Sequence, residues 1–418
     1  MVLLVDLDGT LTNTAHPQFK KMKDGLEDTI ISLIPVFPGA IDFINHQKNL
    51  GNQIIIASDS HPKYVNKIAT EIFNTDFIFL ADKPNPERTL EYINTDENLK
   101  NLFIDRDNFI LIGDSFLDIE LGRRLNIRTI FTEFYVASEI EERDGIGQGW
   151  KPLKMGPTYY AKSYNDISTI VANPLENLLA IESAFQDKNS NKAVPFKFVK
   201  YQNGFTAFRC LARQEDGECD SYGRADKYYQ IDNPNRSSDF LKTLATGINN
   251  YINAVENQKQ FSWDYLTYVS DKKTTTPPNK MKEIFDLVES TIPKVKLFEW
   301  RDDVEGSLRN RPDYASRRAF INKYLFTSDN FDFKDKSIII IDDQFTSSAT
   351  AYEIATQLRN KGAKNILFIA LFYLILPIHA KTCPRCNSNM RISIRKGDGA
   401  KFYNCPYNSG CGLSIRIS

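Results

Sequence analysis

The sequence lacks any apolar run long enough to cross a bilayer as a helix: the longest, Ile366 to Ile378, falls short of the ~20 residues required. It also lacks a surplus of either charge. With 52 Lys and Arg against 53 Asp and Glu, the formal net charge is −1, which argues against a general nucleic-acid coat but leaves a local basic patch open. Histidine is scarce at 4 in the chain, and His16 and His61 have no ligand-like spacing, so both read as surface or packing residues. Cysteine numbers only 6 in 418 residues. That excludes a disulfide framework, and the clustering of four of them at the C-terminus points to a metal site. The segment Met1-Val2-Leu3-Leu4-Val5 runs into Asp6 with neither a basic start nor a long apolar core. No signal peptide is read, and a cytoplasmic location with no membrane partner is expected. What is present is ordinary for globular domains, 42% hydrophobic and 25% charged residues, and the length suggests two or three domains of roughly 150 residues each.

The most informative stretch runs from Ser337 to Thr350. Ile338 to Ile341 read as a strand buried on both faces, followed by Asp342 and Asp343 and then a hydroxyl-rich turn before a helix that Ile354, Ala355 and Leu358 mark by their spacing. A turn at a helix N-terminus presents free N–H groups and a positive dipole end to a phosphate. Thr346, Ser347, Ser348 and Thr350 add hydroxyls there, and the two carboxylates are acceptors suited to paired sugar hydroxyls. The run resembles the signature of the type I phosphoribosyltransferases. The resemblance implies phosphoribosyl pyrophosphate (PRPP) and magnesium, held through Asp342, Asp343, Thr346, Ser347, Ser348, Ala349 and Thr350. Ser348 stands where that family usually has glycine, so a positive φ there would cost about 1 kcal/mol or more.

At the N-terminus, Val2 to Val5 form another short buried strand ending in Asp6-Leu7-Asp8-Gly9-Thr10. Residues two apart in a strand share a face, so the two carboxylates suit phosphoryl transfer, one attacking phosphorus and the other protonating the leaving oxygen. Three further strand ends follow in order. Gln53 to Ala57 end at the Ser58 hydroxyl, Lys83 precedes a helix start at Pro86 and Glu87, and Phe109 to Gly113 lead to Asp114 and Asp118, oxygen donors for a hard cation. These four elements, over about residues 1 to 175, resemble the haloacid dehalogenase (HAD) superfamily of aspartate-dependent phosphohydrolases. The resemblance implies Asp6 as nucleophile, Asp8 as general acid and base, and Ser58 and Lys83 as phosphate holders. It further implies Asp114 as a magnesium ligand with Asp6 and the Asp8 carbonyl, and Asp118 as the residue orienting that cluster. Leu11 to Phe37 leave room for a helix or two and no large cap.

Thr158 to Lys162 and the following Ser163 to Ile167 read as a last strand and helix, and the polar stretch 186–192 as a linker. Phe196 to Val199, Thr206 to Cys210 and Tyr228 to Ile231 are expected as short antiparallel strands around the Asn203-Gly204 turn, followed by a helix over 240–257. Ser270-Asp271-Lys272-Lys273 forms either a diphosphate-holding loop, through Ser270 and Lys272, or a solvated turn. The segment Arg301 to Arg318, with five arginines, reads as a mobile flap or as an exposed basic loop. Arg317 to Asn322 are loosely similar to the competence-associated phosphoribosyltransferases. Cys210 and Cys219 are expected as unlinked thiols.

In the tail, Cys383-Pro-Arg-Cys386, eighteen residues, and then Cys405 and Cys411 supply four thiolates in two pairs, the closed shell of structural zinc. Strands are expected over 390–395 and 400–403, making a zinc ribbon that resembles those of type IA DNA topoisomerases. Arg385, Arg391, Arg395, Lys396, Lys401 and Arg416 among Phe402 and Tyr403 suit a nucleic-acid contact; a structural clip or a protein-binding surface is the other reading. The expected fold class is therefore α/β, with two doubly wound parallel-sheet domains plus a small ribbon: a HAD-like domain over 1–185, a phosphoribosyltransferase domain over 186–378, and the ribbon over 379–418. The expected function is a bifunctional nucleotide-processing enzyme acting on phosphate esters and PRPP, with homo-oligomers left open. The alternative is a regulatory or toxic effector, with bacterial antiphage defence as one setting, or a PRPP sensor without transferase chemistry.

Overall fold

A computed structural model of the chain describes residues 1–135, 151–214, 231–258, 262–275, 277–306, 308, 311, 313–346, 348–376, 378–394, 401–405 and 410–416. The chain divides into two compact units, Met1–Pro174 with Leu376–Ser418, and Leu175–Ile375. Among the described residues no helix is long and apolar enough to cross a membrane.

The first unit is an α/β fold around a six-stranded parallel sheet. Its strands are β1 (Val2–Val5), β2 (Gln53–Ala57), β3 (Asp76–Ile78), β4 (Phe109–Gly113), β5 (Arg128–Thr132) and β6 (Tyr159–Ala161), in the order β3-β2-β1-β4-β5-β6. Every residue of β1, β4 and β5 is buried, as expected for strands covered by helices on both faces. The strand order reverses between β1 and β4. A parallel sheet opens a crevice at such a switch point, beyond the carboxyl ends of its strands, and both aspartate-bearing turns emerge there. The insert after β1 contains short helical turns, Pro17–Phe19, Lys20–Lys23 and Ile31–Leu33.

The second unit carries β7 (Val194–Tyr201), β8 (Gly204–Gln214), β9 (Tyr265–Tyr268), β12 (Ser337–Phe345) and β13 (Asn365–Leu374), in the order β7-β8-β13-β12-β9. A separate antiparallel pair joins β10 (Phe298–Trp300) and β11 (Leu325–Thr327). The β7–β8 hairpin turns between Tyr201 and Gly204 as expected, but β8 also pairs in parallel with β13, so this sheet is parallel with an antiparallel edge. The remaining part of that expectation, Tyr228 to Ile231, lies mostly outside the described residues, as does Cys219; Cys210 is buried. The helix Ala180–Ala184 belongs to this unit, ahead of the polar 186–192 stretch. A fully buried pair ties it there: the Arg213 backbone N–H and Nε donate to Glu182 Oε1 at 2.8 and 2.7 Å, with a further contact from the guanidinium to Oε2.

The tail is a four-stranded antiparallel sheet of β14 (His379–Thr382), β15 (Asn389–Ile394), β16 (Lys401–Asn404) and β17 (Ser414–Arg416). Residues 395–400, with Arg395 and Lys396, lie outside the described residues.

Candidate functional site

Asp6 leaves the end of β1 with 7% of its surface exposed. The Lys83 Nζ lies 2.5 Å from Asp6 Oδ1 and 2.7 Å from Asp118 Oδ1. Asp118 sits on the first turn of the helix Phe116–Arg124, where Ser115 caps it: the Ser115 hydroxyl and N–H donate to Asp118 Oδ2 at 2.6 and 3.0 Å. This reciprocal cap holds the carboxylate with its other oxygen toward Lys83. Asp6, Asp114 and Asp118 each offer an oxygen within 4.8 Å of the others. Gly9 explains the close approach. Its φ is +94°, and a Cβ there would lie 2.2 Å from Asp114 Oδ2.

Electrostatics follow from burial. Desolvation, then the charges of Asp118 and Asp114, hold Asp6 well above the ordinary carboxylate range, with Lys83 pulling the other way. Burial disfavours the Lys83 ammonium, but Asp118, Asp6 and Asp59 outweigh it and keep the amine well above its usual value. The all-oxygen donor set of Asp6, Asp114 and Asp118 fits a hard divalent cation.

A cavity of about 190 Å³ opens on this cluster, lined by Asp6, Asp8, Ser58, Lys83 and Asp114, with Lys20, Lys23 and Asp24 contributed by the insert. The Ser58 hydroxyl accepts from the Ser60 N–H at 3.1 Å, which leaves its proton to donate. The structure thus gathers the sequence-predicted Asp6, Asp8, Ser58, Lys83 and Asp114 around one cavity, with Asp118 behind them. It adds residues that had no motif to mark them. Thr14, Tyr64 and Ser60 all donate to the Asp8 carboxylate, and Asp59 accepts from the Lys83 N–H at 3.0 Å. His16 and His61 serve as helix caps, their Nδ1 atoms accepting from Gln18 and Lys63 N–H groups at 3.2 Å each.

In the second unit, β12 runs on through Asp342 and Asp343 to Phe345. Ser348 precedes the helix Ala349–Asn360 with φ 61°, so serine does occupy a left-handed position. Thr346 follows the strand and Thr350 lies in the first helical turn; Ser347 lies outside the described residues. Asp342 is held well above the ordinary carboxylate range by burial and by Asp343. Lys280, which the sequence did not single out, is 5% exposed. Its Nζ sits 2.5 Å from Asp343 Oδ2 and 2.8 Å from Asp232 Oδ1. Nearby, burial pushes the Asp271 carboxyl up to about 6 despite the Met281 N–H and Lys280, with Asp343 adding to the rise. The two candidate loop residues are engaged elsewhere: the Ser270 hydroxyl donates to the Phe298 carbonyl at 2.6 Å, and Lys272 Nζ donates to the Gly306 carbonyl at 3.2 Å while lying over the Trp300 and Phe320 rings. The expected flap is in part a helix, Tyr314–Tyr324, carrying Arg317 and Arg318, with Arg318 paired to Glu353 at 2.9 Å. Arg309 and Pro312 lie outside the described residues.

In the tail, the sulfurs of Cys383, Cys386, Cys405 and Cys411 lie within 4.8 Å of one another. Cys383 and Cys411 are 3.6 Å apart and Cys386 and Cys405 3.4 Å. Both separations exceed a disulfide bond and approach the edge of about 3.8 Å for a tetrahedron with ~2.3 Å zinc–sulfur bonds, so the donor set fits that ion.

No family model matches the chain, and no curated protein matches it. Similar solved structures include one described as a phosphoglycolate phosphatase from Lactobacillus delbrueckii subsp. bulgaricus, 22% identical, with a TM-score of 0.26 over 33% of this chain and 54% of that one. Others are a HAD family hydrolase from Deinococcus radiodurans with bound phosphate and sodium, 12% identical with a TM-score of 0.30 over 41% of this chain and 94% of that one, and one described as a phosphatase from Clostridium acetobutylicum, 18% identical with a TM-score of 0.31 over 41% and 97%. The chain spans about half the length of the first of these and nearly all of the other two, and at these scores the likenesses assign it neither activity nor substrate.

Proposed function

We propose that the first unit is a magnesium-dependent phosphohydrolase of the HAD type with Asp6 as nucleophile. The observation that carries this reading is the buried Asp6 carboxylate flanked by Lys83, Asp114 and Asp118 at the open switch point of the sheet. Asp6 and Asp114, with the Asp8 carbonyl, would hold the ion, and Asp118 would orient them. When bound, magnesium draws charge from the phosphoryl oxygens. Lys83 lies beside the attacking oxygen, where an incoming phosphoryl group needs a cation, and Ser58 has a proton to donate to one of its oxygens. Asp8, two residues along, delivers the proton to the leaving oxygen and takes one from water in the second half. Purified protein with magnesium should release phosphate from a panel of monoesters, and Asp6→Asn should abolish release; retained activity in that variant overturns the assignment.

The second unit we read as a PRPP site at Asp342, Asp343 and the turn to the helix Ala349–Asn360. Its left-handed Ser348 and buried Asp342 support that reading. Lys280 occupies an Asp343 carboxylate oxygen that a ribose hydroxyl would use in a sensor and in a transferase alike. Titrating PRPP and following its consumption with nucleobases separates the two: binding without consumption marks a sensor. The tail we read as a zinc ribbon, which contacts nucleic acid or a partner protein. Nucleic-acid binding that weakens as salt rises supports the first of these.

A further inference from the structure

Asp8 is held at both carboxylate oxygens by hydroxyls from three separate pieces of chain. The Thr14 hydroxyl lies 2.5 Å from Oδ1 and the Tyr64 hydroxyl 2.8 Å from the same atom, while the Ser60 hydroxyl lies 3.0 Å from Oδ2. Thr14 comes from the insert after β1, Ser60 from the turn after β2, and Tyr64 from the helix Pro62–Ile68. None of the three is an accident of one loop. Tyr64 and Thr14 are fully buried, and burying a hydroxyl is tolerated only when a partner satisfies it. Behind Thr14, the Thr12 hydroxyl lies 2.6 Å away and reaches the Leu7 carbonyl at 3.1 Å, so the set is anchored to the exit of β1.

A carboxyl beside a solvated loop would turn freely. Here its plane is fixed from the insert side and the helix side at once, and misplacement of a reacting group by about 1 Å costs on the order of 10²-fold in rate. In the first half-reaction, which kcat/KM reports, such fixing matters most for a leaving group that cannot depart without its proton. We propose that Thr14, Ser60 and Tyr64 are positioning residues that aim Asp8 at the leaving oxygen, and that the substrates of this site are therefore alkyl phosphate monoesters rather than aryl esters or anhydrides. The inference rests on the phosphohydrolase reading of the site. In the first half-reaction an Asp6 oxygen bonds to phosphorus, the bond from phosphorus to the alkyl oxygen breaks, and that oxygen keeps the electron pair and takes the Asp8 proton. In the second, water attacks phosphorus, its proton returns to Asp8, and the bond to Asp6 breaks to release phosphate. Water is the only co-reactant.

The test compares kcat/KM of the full chain with magnesium on glycerol phosphate and on p-nitrophenyl phosphate, whose leaving group departs unprotonated. Tyr64→Phe and Thr14→Val should each lower the alkyl ester by about tenfold or more and the aryl ester by less than about threefold, with Asp8→Asn showing the same pattern more strongly, since general acid catalysis is worth about 10²–10⁴-fold. Thr14→Ser, which keeps the hydroxyl, should restore the alkyl rate and guards against a folding defect, which circular dichroism of each variant also reports. Equal losses on both esters, or none on the alkyl ester, overturn the positioning role. Wild-type protein that prefers aryl esters or anhydrides overturns the substrate class. Wild-type protein that releases no phosphate from any ester overturns the phosphohydrolase reading itself, a separate outcome.

Discussion

Replacing Lys83 with methionine removes the ammonium that pairs with the Asp6 and Asp118 carboxylates while keeping most of the side-chain volume. The lysine, Asp6 and Asp118 side chains are 5%, 9% and 1% exposed, so water cannot take over the charge. Breaking a buried pair from one side costs about 3–5 kcal/mol, chiefly because the orphaned charge stays buried. The penalty should depend on pH, with a definite sign. In the wild type Lys83 is raised above its unfolded value, so its contribution is fully present at neutral pH and is lost only as pH rises through the folded value. Asp6 is already raised by burial, and without Lys83 it rises further, so the folded variant binds more protons than the unfolded chain above the ordinary carboxylate range. Stability then falls as pH increases, by up to about 1.4 kcal/mol per pH unit for each carboxyl involved. Hydrogen exchange of the β1 and β4 amides, with chelator present, reads the opening of this sheet alone. We expect a loss of about 3–5 kcal/mol at pH 7.5 that shrinks markedly at pH 5. A loss below about 1 kcal/mol, or one equal at the two pH values, would refute the account of buried Asp6 and Asp118 carboxylates held by Lys83.

Gly9→Ala should abolish phosphate release and destabilise the first unit by at least about 1 kcal/mol, because the new Cβ would lie 2.2 Å from Asp114 Oδ2 at a φ of +94°; phosphate assays with parallel unfolding curves check it. Ser348→Gly should stabilise the second unit by roughly 0.5–1 kcal/mol, since φ 61° strains serine and not glycine, and a chemical unfolding curve of that unit unchanged or weakened would count against it. Cys386→Ser should remove the one zinc expected per chain, measured by metal analysis, because it takes one of the four clustered thiolates from the closed tetrahedral shell.

The sequence by itself determined where β1, β2 and β4 of the first sheet end and which polar residues stand at those ends, whereas the short β3 and β5 carry no such motif. Runs such as Val2–Val5 and Phe109–Gly113 are apolar on both faces, and that pattern has few other solutions. Local chemistry likewise made the four-cysteine cluster and the acid pair at Asp342 and Asp343 legible, since each is written in residues close together in the chain. What only the tertiary structure decided is how distant side chains meet. Lys83 reaches Asp6 from 77 positions away and Tyr64 reaches Asp8 from 56, while Lys280 settles on Asp343 from 63. No periodicity encodes such pairings. They depend on the order in which strands assemble into a sheet, where pairing geometry and shared burial set the partners, and on the desolvation that makes an ammonium or a hydroxyl necessary beside a buried carboxylate.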